Sequence, residues 1–118
     1  MARGMIVDDS KFMRRIIREC LEYGGHEIVA EVDNGQDALV KYRELKPDFV
    51  TMDVTMWGKD GLKAVSEITD IDPDARIVVV SALSEKTLKM DDGGIRARAF
   101  VQKPFEKEEL LEVIKKVL

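Results

Sequence analysis

Short apolar runs alternate with longer segments of helical periodicity along this chain. The runs at 5–7, 49–52 and 77–80 are continuous and rich in branched residues, which is typical of strands buried on both faces of a parallel sheet. The run at 27–32 alternates polar and apolar residues instead, which predicts an edge strand with one wetter face. A fifth strand is predicted at about 99–102.

Between the strands, apolar residues recur every three or four positions, which predicts helices. The first helix should run from about Ser10, a suitable N-cap, to about Tyr23 before Gly24 and Gly25. The helix at about 84–92 has the weakest apolar face and runs into two glycines. The stripes are Phe12, Met13, Ile16, Ile17, Cys20 and Leu21 in the first helix, Ala38, Leu39, Tyr42 and Leu45 in the second, Leu62, Val65 and Ile68 in the third, and Leu110, Leu111, Ile114, Val117 and Leu118 in the last.

Five strands, each followed by a helix, predict an α/β fold: a five-stranded parallel sheet with helices on both faces. The flavodoxin-like strand order 2-1-3-4-5 suits five strands. At 118 residues the chain is long enough for one domain with a real core and too short for two, so we expect a single domain at 1–118.

Composition narrows the function classes. The chain is 45% hydrophobic and 36% charged, as expected of a soluble globular protein. A net charge of −4 argues against direct binding of nucleic acid, and Arg14, Arg15 and Arg18 are interpreted as a solvated helix face. No apolar run approaches the roughly 20 residues that span a bilayer, and no signal-peptide pattern opens the chain. We therefore expect a cytoplasmic protein without membrane contact.

The single cysteine and the single histidine offer little catalytic chemistry. Cys20 excludes an internal disulfide and a cysteine-based zinc site, and its place on an apolar stripe predicts a packed core thiol. His26 follows two glycines and is interpreted as a turn residue; no Gly-x-Ser-x-Gly segment is present to build a Ser-His-Asp triad with it.

Five polar residues stand at the ends of the predicted strands: Asp8, Asp9, Asp53, Ser81 and Lys103. The carboxyl ends of parallel strands line one crevice, where ligands bind. Strands one and three are neighbours in the predicted order, so the three carboxylates should meet, with the hydroxyl and the ammonium beside them. Helix capping explains Asp8 or Asp9 singly, but it does not explain all five positions.

Three carboxylates with one lysine leave an excess of negative charge, which a hard divalent cation would complement. Mg²⁺ favours one or two carboxylates, waters and a phosphoryl oxygen, so the pattern predicts Mg²⁺ together with phosphate. Lys103 and Ser81 could then contact phosphoryl oxygens. Asp53, alone at the end of a central strand, is the best candidate for a nucleophile.

Four segments carry a resemblance to a known family: Ile-Val-Asp-Asp-Ser at 6–10, Asp53 after its strand, Ser-Ala at 81–82, and Lys-Pro-Phe at 103–105. Together they resemble the response-regulator receiver domain over the whole chain. The residues at 12–14 and 46–53 are most similar to stand-alone chemotaxis regulators of the CheY type.

The resemblance implies that Asp53 accepts a phosphoryl group from the phosphohistidine of a histidine kinase. It implies that Asp9, Asp53 and the backbone carbonyl of Thr55 hold Mg²⁺, with Asp8 acting partly through water. Ser81 and Lys103 would bind phosphoryl oxygens, and the bond from Lys103 to Pro104 would be cis.

Phe100 occupies the family's position for a switch aromatic, although a plain half-buried strand residue is the other interpretation. The resemblance implies that Ser81 moves toward the phosphoryl group and Phe100 turns inward, so that the face around the last two strands and helices changes partners. A target such as a flagellar switch component is expected, and the chain is expected to act as a monomer.

Two stretches depart from the family pattern. Trp57 stands where the family usually has proline, and two interpretations stay open: the indole partly covers the pocket, or it lies on the surface without a role. The segment 91–98 contains Gly93 and Gly94 where the family continues a helix, and each glycine costs about 1 kcal/mol against alanine there. We therefore expect the helix at 84–92 to be short or frayed.

Three alternatives stay open at this point. A receiver cut from a longer regulator with a DNA-binding output domain would look the same. A small Mg²⁺-dependent phosphatase of the haloacid-dehalogenase type also uses an aspartate nucleophile, but it needs a second aspartate where Thr55 stands. A flavodoxin-like cofactor binder needs a hydroxyl-rich phosphate loop, where Asp8 and Asp9 would repel the phosphate.

Overall fold

The computed structural model describes residues 2–54, 60–84 and 96–118. Five parallel strands form one sheet in the order β2-β1-β3-β4-β5, as predicted, with β2 at an edge. The strands are β1 (Arg3–Val7), β2 (Glu27–Val32), β3 (Phe49–Met52), β4 (Ile77–Ser81) and β5 (Ala99–Gln102). The pairing is in register along β1 and β3, where Gly4 faces Phe49 and Val7 faces Met52.

Four helices lie within the described residues: α1 (Lys11–Tyr23), α2 (Gly35–Leu45), α3 (Asp60–Ile71) and α4 (Lys107–Val117). None of these helices is long and apolar enough to cross a membrane. The predicted helix at 84–92 falls almost entirely on 85–95, outside the described residues. Thr55 and Trp57, and most of the departure at 91–98, also lie outside them.

The alternation of strand side chains divides the core into two layers. Met5, Val7 and Val50 face one side, where they pack with Ala38 of α2 and Ile68 of α3. Residues of the opposite parity face α1 and α4 on the other side: Ile6, Phe49, Val78, Val80 and Val101. Because neighbouring strand residues are buried on opposite faces, the central strands read as continuous apolar runs.

The first helix begins at its predicted N-cap. Ser10 caps α1, with its Oγ accepting a hydrogen bond from the N–H of Met13 at 3.2 Å. Asn34 caps α2 in the same way through the N–H of Asp37, at 2.8 Å. These contacts satisfy backbone donors that would otherwise lack a partner in the first helical turn.

Two residues assigned to apolar stripes are not in the core. Phe12 is 71% exposed and Leu118 is 45% exposed. The buried face of α1 centres on Ile17, Cys20 and Leu21, and Phe12 lies on its first turn, about 100° around the helix from the line of Met13 and Ile17. Leu118 follows the last residue of α4, where the helix no longer holds side chains against the sheet.

Thr51 carries a polar atom without a partner in the interior. Its side chain is fully buried on β3 between Ile6 of β1 and Val78 of β4, and its Oγ1 has no hydrogen-bond partner among the described residues. A hydroxyl that leaves water without gaining a partner costs about 1–3 kcal/mol.

We predict that Thr51→Val raises the free energy of unfolding by about 1 kcal/mol, because valine keeps the shape and removes the unsatisfied hydroxyl. Urea unfolding at neutral pH measures the change. Thr69→Val is the matched control: Thr69 is equally buried, but its hydroxyl donates to the carbonyl of Val65 at 2.8 Å. Thr69→Val should not stabilise the protein, and a loss of stability in Thr51→Val would show that the hydroxyl of Thr51 is satisfied.

Candidate functional site

Backbone hydrogen bonds continue the sheet past its strand ends and hold the polar residues there. The N–H of Asp8 donates to Val32 O at 3.1 Å, and the N–H of Asp53 donates to Val7 O at 3.0 Å. The N–H of Lys103 donates to the carbonyl of Ser81 at 2.8 Å. The polypeptide therefore leaves the sheet at these residues along one edge, which is formed by the carboxyl ends of the strands, and strand pairing fixes their positions.

Four of the predicted site residues come together at this edge. Carboxylate oxygens of Asp8, Asp9 and Asp53 all lie within 4.8 Å of one another. The ammonium of Lys103 is 2.8 Å from Asp8 Oδ2 and 3.4 Å from Asp53 Oδ2. Asp8 and Asp53 are buried and Asp9 is exposed, so the cluster is closed by the sheet on one side and open on the other.

The charges in this cluster do not balance. Among the residues that the structure describes, three carboxylates face the ammonium of Lys103, and two of them are buried where water screens charge poorly. All the donor atoms that the cluster offers to a cation are carboxylate oxygens, the ligands that Mg²⁺ prefers. The residues present therefore fit a hard divalent cation, with the exposed Asp9 on the side from which a phosphoryl group could enter.

Ser81 is fully buried at the end of β4, and its hydroxyl is engaged by the following loop. Its Oγ accepts a hydrogen bond from the N–H of Leu83 at 3.1 Å. The backbone of Ser81 is tied to Lys103, so the two residues are neighbours across the β4–β5 pair. The structure thus joins Ser81 to the site through its backbone.

Phe100 lies half-buried on β5, paired with Val79 of β4 and packed against the core layer under α2 and α3. Its burial agrees with a strand aromatic and also leaves it a partly open side. The peptide bond between Lys103 and Pro104 is cis, as the resemblance implied.

Sequence reasoning missed a close contact at Gly61. A Cβ at this position would lie 2.5 Å from the carbonyl oxygen of Asp53 and 2.5 Å from the Cα of Val54. The first turn of α3 therefore packs directly against the backbone that carries Asp53, which any larger residue would prevent. The glycine was visible in the sequence, but nothing there identified what it approaches.

Arg14 corrects the interpretation of a solvated arginine face. Its side chain is only 16% exposed; its Nη1 donates to the carbonyl of Asp8 at 2.6 Å, and its Nε lies 3.4 Å from Glu31. Arg15, by contrast, is 80% exposed, and its one ion pair within the described ranges is with Glu19. Residue 14 falls on the side of α1 that faces β2 and the loop before the helix, so its cation is drawn to groups on both.

His26 and Cys20 lie away from this edge. The N–H of Ala2 donates to Nδ1 of His26 at 3.3 Å at the opposite end of β1, and the imidazole meets the Phe49 ring edge-on. Burial lowers the pKa of His26. Cys20 is a packed core thiol, as predicted, and burial raises its pKa. Neither residue contributes chemistry to the acidic cluster.

A curated relative matches almost the whole chain. The chemotaxis protein CheY of Bacillus subtilis is 45% identical over 116 residues, which cover 98% of this chain and 97% of the relative. The similarity covers nearly the full length of both chains, so it is not confined to a module shared with a much longer protein.

Two solved structures share the fold and contain Mg²⁺ together with a beryllium fluoride. Response regulator protein TrrA from Thermotoga maritima, in complex with Mg²⁺ and beryllium fluoride, has a TM-score of 0.88, 34% identity and full coverage of both chains. The CheX–CheY complex with BeF₃ and Mg²⁺ from Borrelia burgdorferi has a TM-score of 0.89 and 30% identity, covering 98% of this chain and 87% of that chain.

We predict that Lys103→Met lowers the free energy of unfolding by about 2–4 kcal/mol in EDTA at neutral pH, because it removes the ammonium that lies within 3.4 Å of two buried carboxylates. The loss should shrink on addition of Mg²⁺, which brings positive charge to the carboxylates. Urea unfolding measures each case. Lys41→Met, which removes an exposed ammonium 4.0 Å from Glu44, should change stability by less than about 0.5 kcal/mol. Equal effects of the two substitutions would contradict the charge argument.

The family model of the response regulator receiver domain matches residues 5–115 of this chain. That span contains every strand end at which the site is built. With the strand order, the acidic cluster and the lysine in place, the chain belongs to the response regulator receiver domain family.

Proposed function

We propose that this chain is a phosphorylation-dependent signalling switch of chemotaxis, in which Asp53 accepts a phosphoryl group from the phosphohistidine of a sensor histidine kinase. The observation that supports it best is the pair of buried carboxylates, Asp8 and Asp53, joined by the ammonium of Lys103 and adjoining the exposed Asp9. The near full-length similarity to a chemotaxis protein favours this function over a regulator with a DNA-binding output domain.

Asp53 is the proposed nucleophile because the other two carboxylates suit different tasks. Asp8 already accepts hydrogen bonds from the N–H of Ser10 at 2.9 Å and from Lys103 at 2.8 Å. Asp9 stands at the exposed side of the cluster. In the transfer, an oxygen of Asp53 bonds to phosphorus as the phosphorus–nitrogen bond of the phosphohistidine breaks, and the departing imidazole nitrogen takes a proton.

Mg²⁺ is the proposed cofactor, held by Asp8, Asp9, Asp53 and the backbone carbonyl of Thr55, with Asp8 acting partly through water. When bound, it would offset the charge of the carboxylates and of the phosphoryl oxygens. Lys103, already within 3.4 Å of Asp53, would stabilise the negative charge that develops on the transferred group. Ser81 would contribute its hydroxyl to a phosphoryl oxygen.

The proposed switch links Ser81 to Phe100 through the β4–β5 pair. In this structure the hydroxyl of Ser81 accepts from the N–H of Leu83; turning toward a phosphoryl group would release that loop. Phe100 lies two residues before Gln102, which pairs with Ser81, and its ring is half-buried, so an inward turn would bury it further. Phosphorylation would then favour a different protein partner by changing the populations of two arrangements.

The partners that we propose are a sensor histidine kinase as phosphodonor and a downstream chemotaxis protein such as a flagellar switch component. The Borrelia burgdorferi relative forms a complex with CheX, so a protein of that kind is a further candidate. We propose that residues 1–118 act as one receiver domain, as a monomer, and as a signalling protein in the cytoplasm, with catalysis limited to self-phosphorylation from small donors and slow self-dephosphorylation.

Incubation with acetyl phosphate and Mg²⁺ should add one phosphoryl group, measured by intact mass. The addition should be lost in EDTA, and Asp53→Asn should abolish it because the amide is not a nucleophile for phosphorus. Asp74→Asn, which alters an exposed aspartate outside the cluster, should be phosphorylated like the original chain. Phosphorylation that persists in Asp53→Asn, or proceeds equally in EDTA, would overturn the assignment.

Saturation with beryllofluoride and Mg²⁺ should shift the backbone NMR signals of Leu83 and of 99–102 if Ser81 couples the site to β5. Ser81→Ala should lose these distant shifts while signals beside Asp53 still respond, because only the hydroxyl is removed. Ser81→Thr keeps a hydroxyl and should retain them. Identical responses in the alanine variant and the original chain would refute the coupling.

A further inference from the structure

We propose that Arg14 is a positioning residue for the cation site: it holds the peptide between Asp8 and Asp9 and thereby sets the affinity for Mg²⁺. This inference rests on the proposed function. It starts from the contrast between Arg14, whose side chain is 16% exposed, and its neighbour Arg15 on the same helix, which is 80% exposed.

The two adjacent aspartates are held in different ways. The carboxylate of Asp8 is fixed by Ser10 N–H and by Lys103. Asp9 is exposed, and no hydrogen bond or ion pair joins its carboxylate to another residue of the described part of the chain. The place of the Asp9 carboxylate at the cluster therefore depends on the backbone that carries it.

Arg14 acts on that backbone. The carbonyl of Asp8 belongs to the peptide that joins Asp8 to Asp9, and Nη1 of Arg14 donates to it at 2.6 Å. Together with the hydrogen bond from Asp8 N–H to Val32 O, this contact fixes the residue on both sides. The direction in which the chain leaves toward Asp9 is set by these bonds.

The guanidinium is itself anchored at its other side. Its Nε lies 3.4 Å from Glu31 of the edge strand β2, and Glu31 is also 2.6 Å from Nη1 of Arg18. A planar guanidinium can serve the carbonyl and the carboxylate at once, whereas a lysine ammonium is a single point charge on a flexible stem. Arg14 therefore braces the acidic loop against the sheet edge and the helix.

Bracing of this kind reduces the ordering that a cation must impose when it binds. Residues that orient metal ligands without touching the metal typically change affinity by about 10- to 100-fold when removed. Arg14 also brings a positive charge near the cluster, which by itself would weaken cation binding. Loss of Arg14 therefore separates the two effects by sign: weaker binding indicates positioning, and tighter binding indicates charge.

Isothermal titration calorimetry with MgCl₂ tests this on the full chain. We expect Arg14→Ala to raise the dissociation constant for Mg²⁺ about tenfold and Arg14→Lys to raise it less. Arg15→Ala is the matched control on the same helix and should bind like the original chain. Thermal unfolding in EDTA verifies that each variant is folded, because its melting temperature must lie far above the temperature of the titration.

The rate of phosphorylation from acetyl phosphate, followed against Mg²⁺ concentration, gives a second test. Positioning predicts a shift of the half-saturating Mg²⁺ concentration in Arg14→Ala with the maximal rate retained. A merely structural loss would lower the maximal rate and leave half-saturation unchanged. If Arg14→Ala does not fold, Glu31→Gln loosens the anchor while keeping Arg14, and should weaken Mg²⁺ binding roughly threefold.

Equal or tighter Mg²⁺ binding in folded Arg14→Ala would overturn the inference and leave the proposed function standing. In the Glu31→Gln test, unchanged binding would do the same. Absence of Mg²⁺ binding by the original chain would overturn the inference together with the proposed cofactor.

Discussion

The pairing of parallel strands beyond their last regular residue is the constraint on which this molecule depends. Asp8 is bonded to the end of β2, Asp53 to the end of β1, and Lys103 to the end of β4. Each side chain is therefore placed by a neighbouring strand in addition to its own. The acidic cluster needs no additional supporting element. The hydrogen bonds that hold the sheet together also fix the points at which the polypeptide leaves three of its strands.

Burial of these charged side chains lowers the stability of the protein, and it also strengthens their interaction with a cation. Asp8 and Asp53 lose most of their contact with water, and Lys103 is the ammonium within 3.4 Å of both. Among the described residues Lys103 is the one cation paired with the three carboxylates of the cluster, which disfavours the empty site and favours whatever brings positive charge. The hydroxyl of Thr51, two residues before Asp53, adds a buried group that has no hydrogen-bond partner in the described part of the chain. The buried carboxylates and this hydroxyl both lower the stability of the protein close to the candidate site.

The features that could be predicted from the sequence depend on short-range periodicity. The apolar runs predicted the five strands, and that number suggested the order 2-1-3-4-5. The residues that end the runs, Asp8, Asp53 and Lys103, predicted the cluster, because strand ends in a parallel sheet converge. The features that were missed depend on contacts between distant elements. Arg14 and Arg15 are indistinguishable in a helical pattern until Glu31 and the Asp8 carbonyl are placed in space. The contact of Gly61 with the Asp53 backbone is of the same kind.

The described residues of the two sheet edges make different contacts. At β2, the carboxylate of Glu31 pairs with two arginines of α1 and so ties the edge strand to the helix. At the opposite edge, β5 is a four-residue strand with a single neighbour, and it carries both Phe100 and the chain to Lys103. The acidic cluster therefore lies between two unlike edges. Ion pairs with a helix hold one of them, and the other leads directly to the lysine that contacts the buried carboxylates.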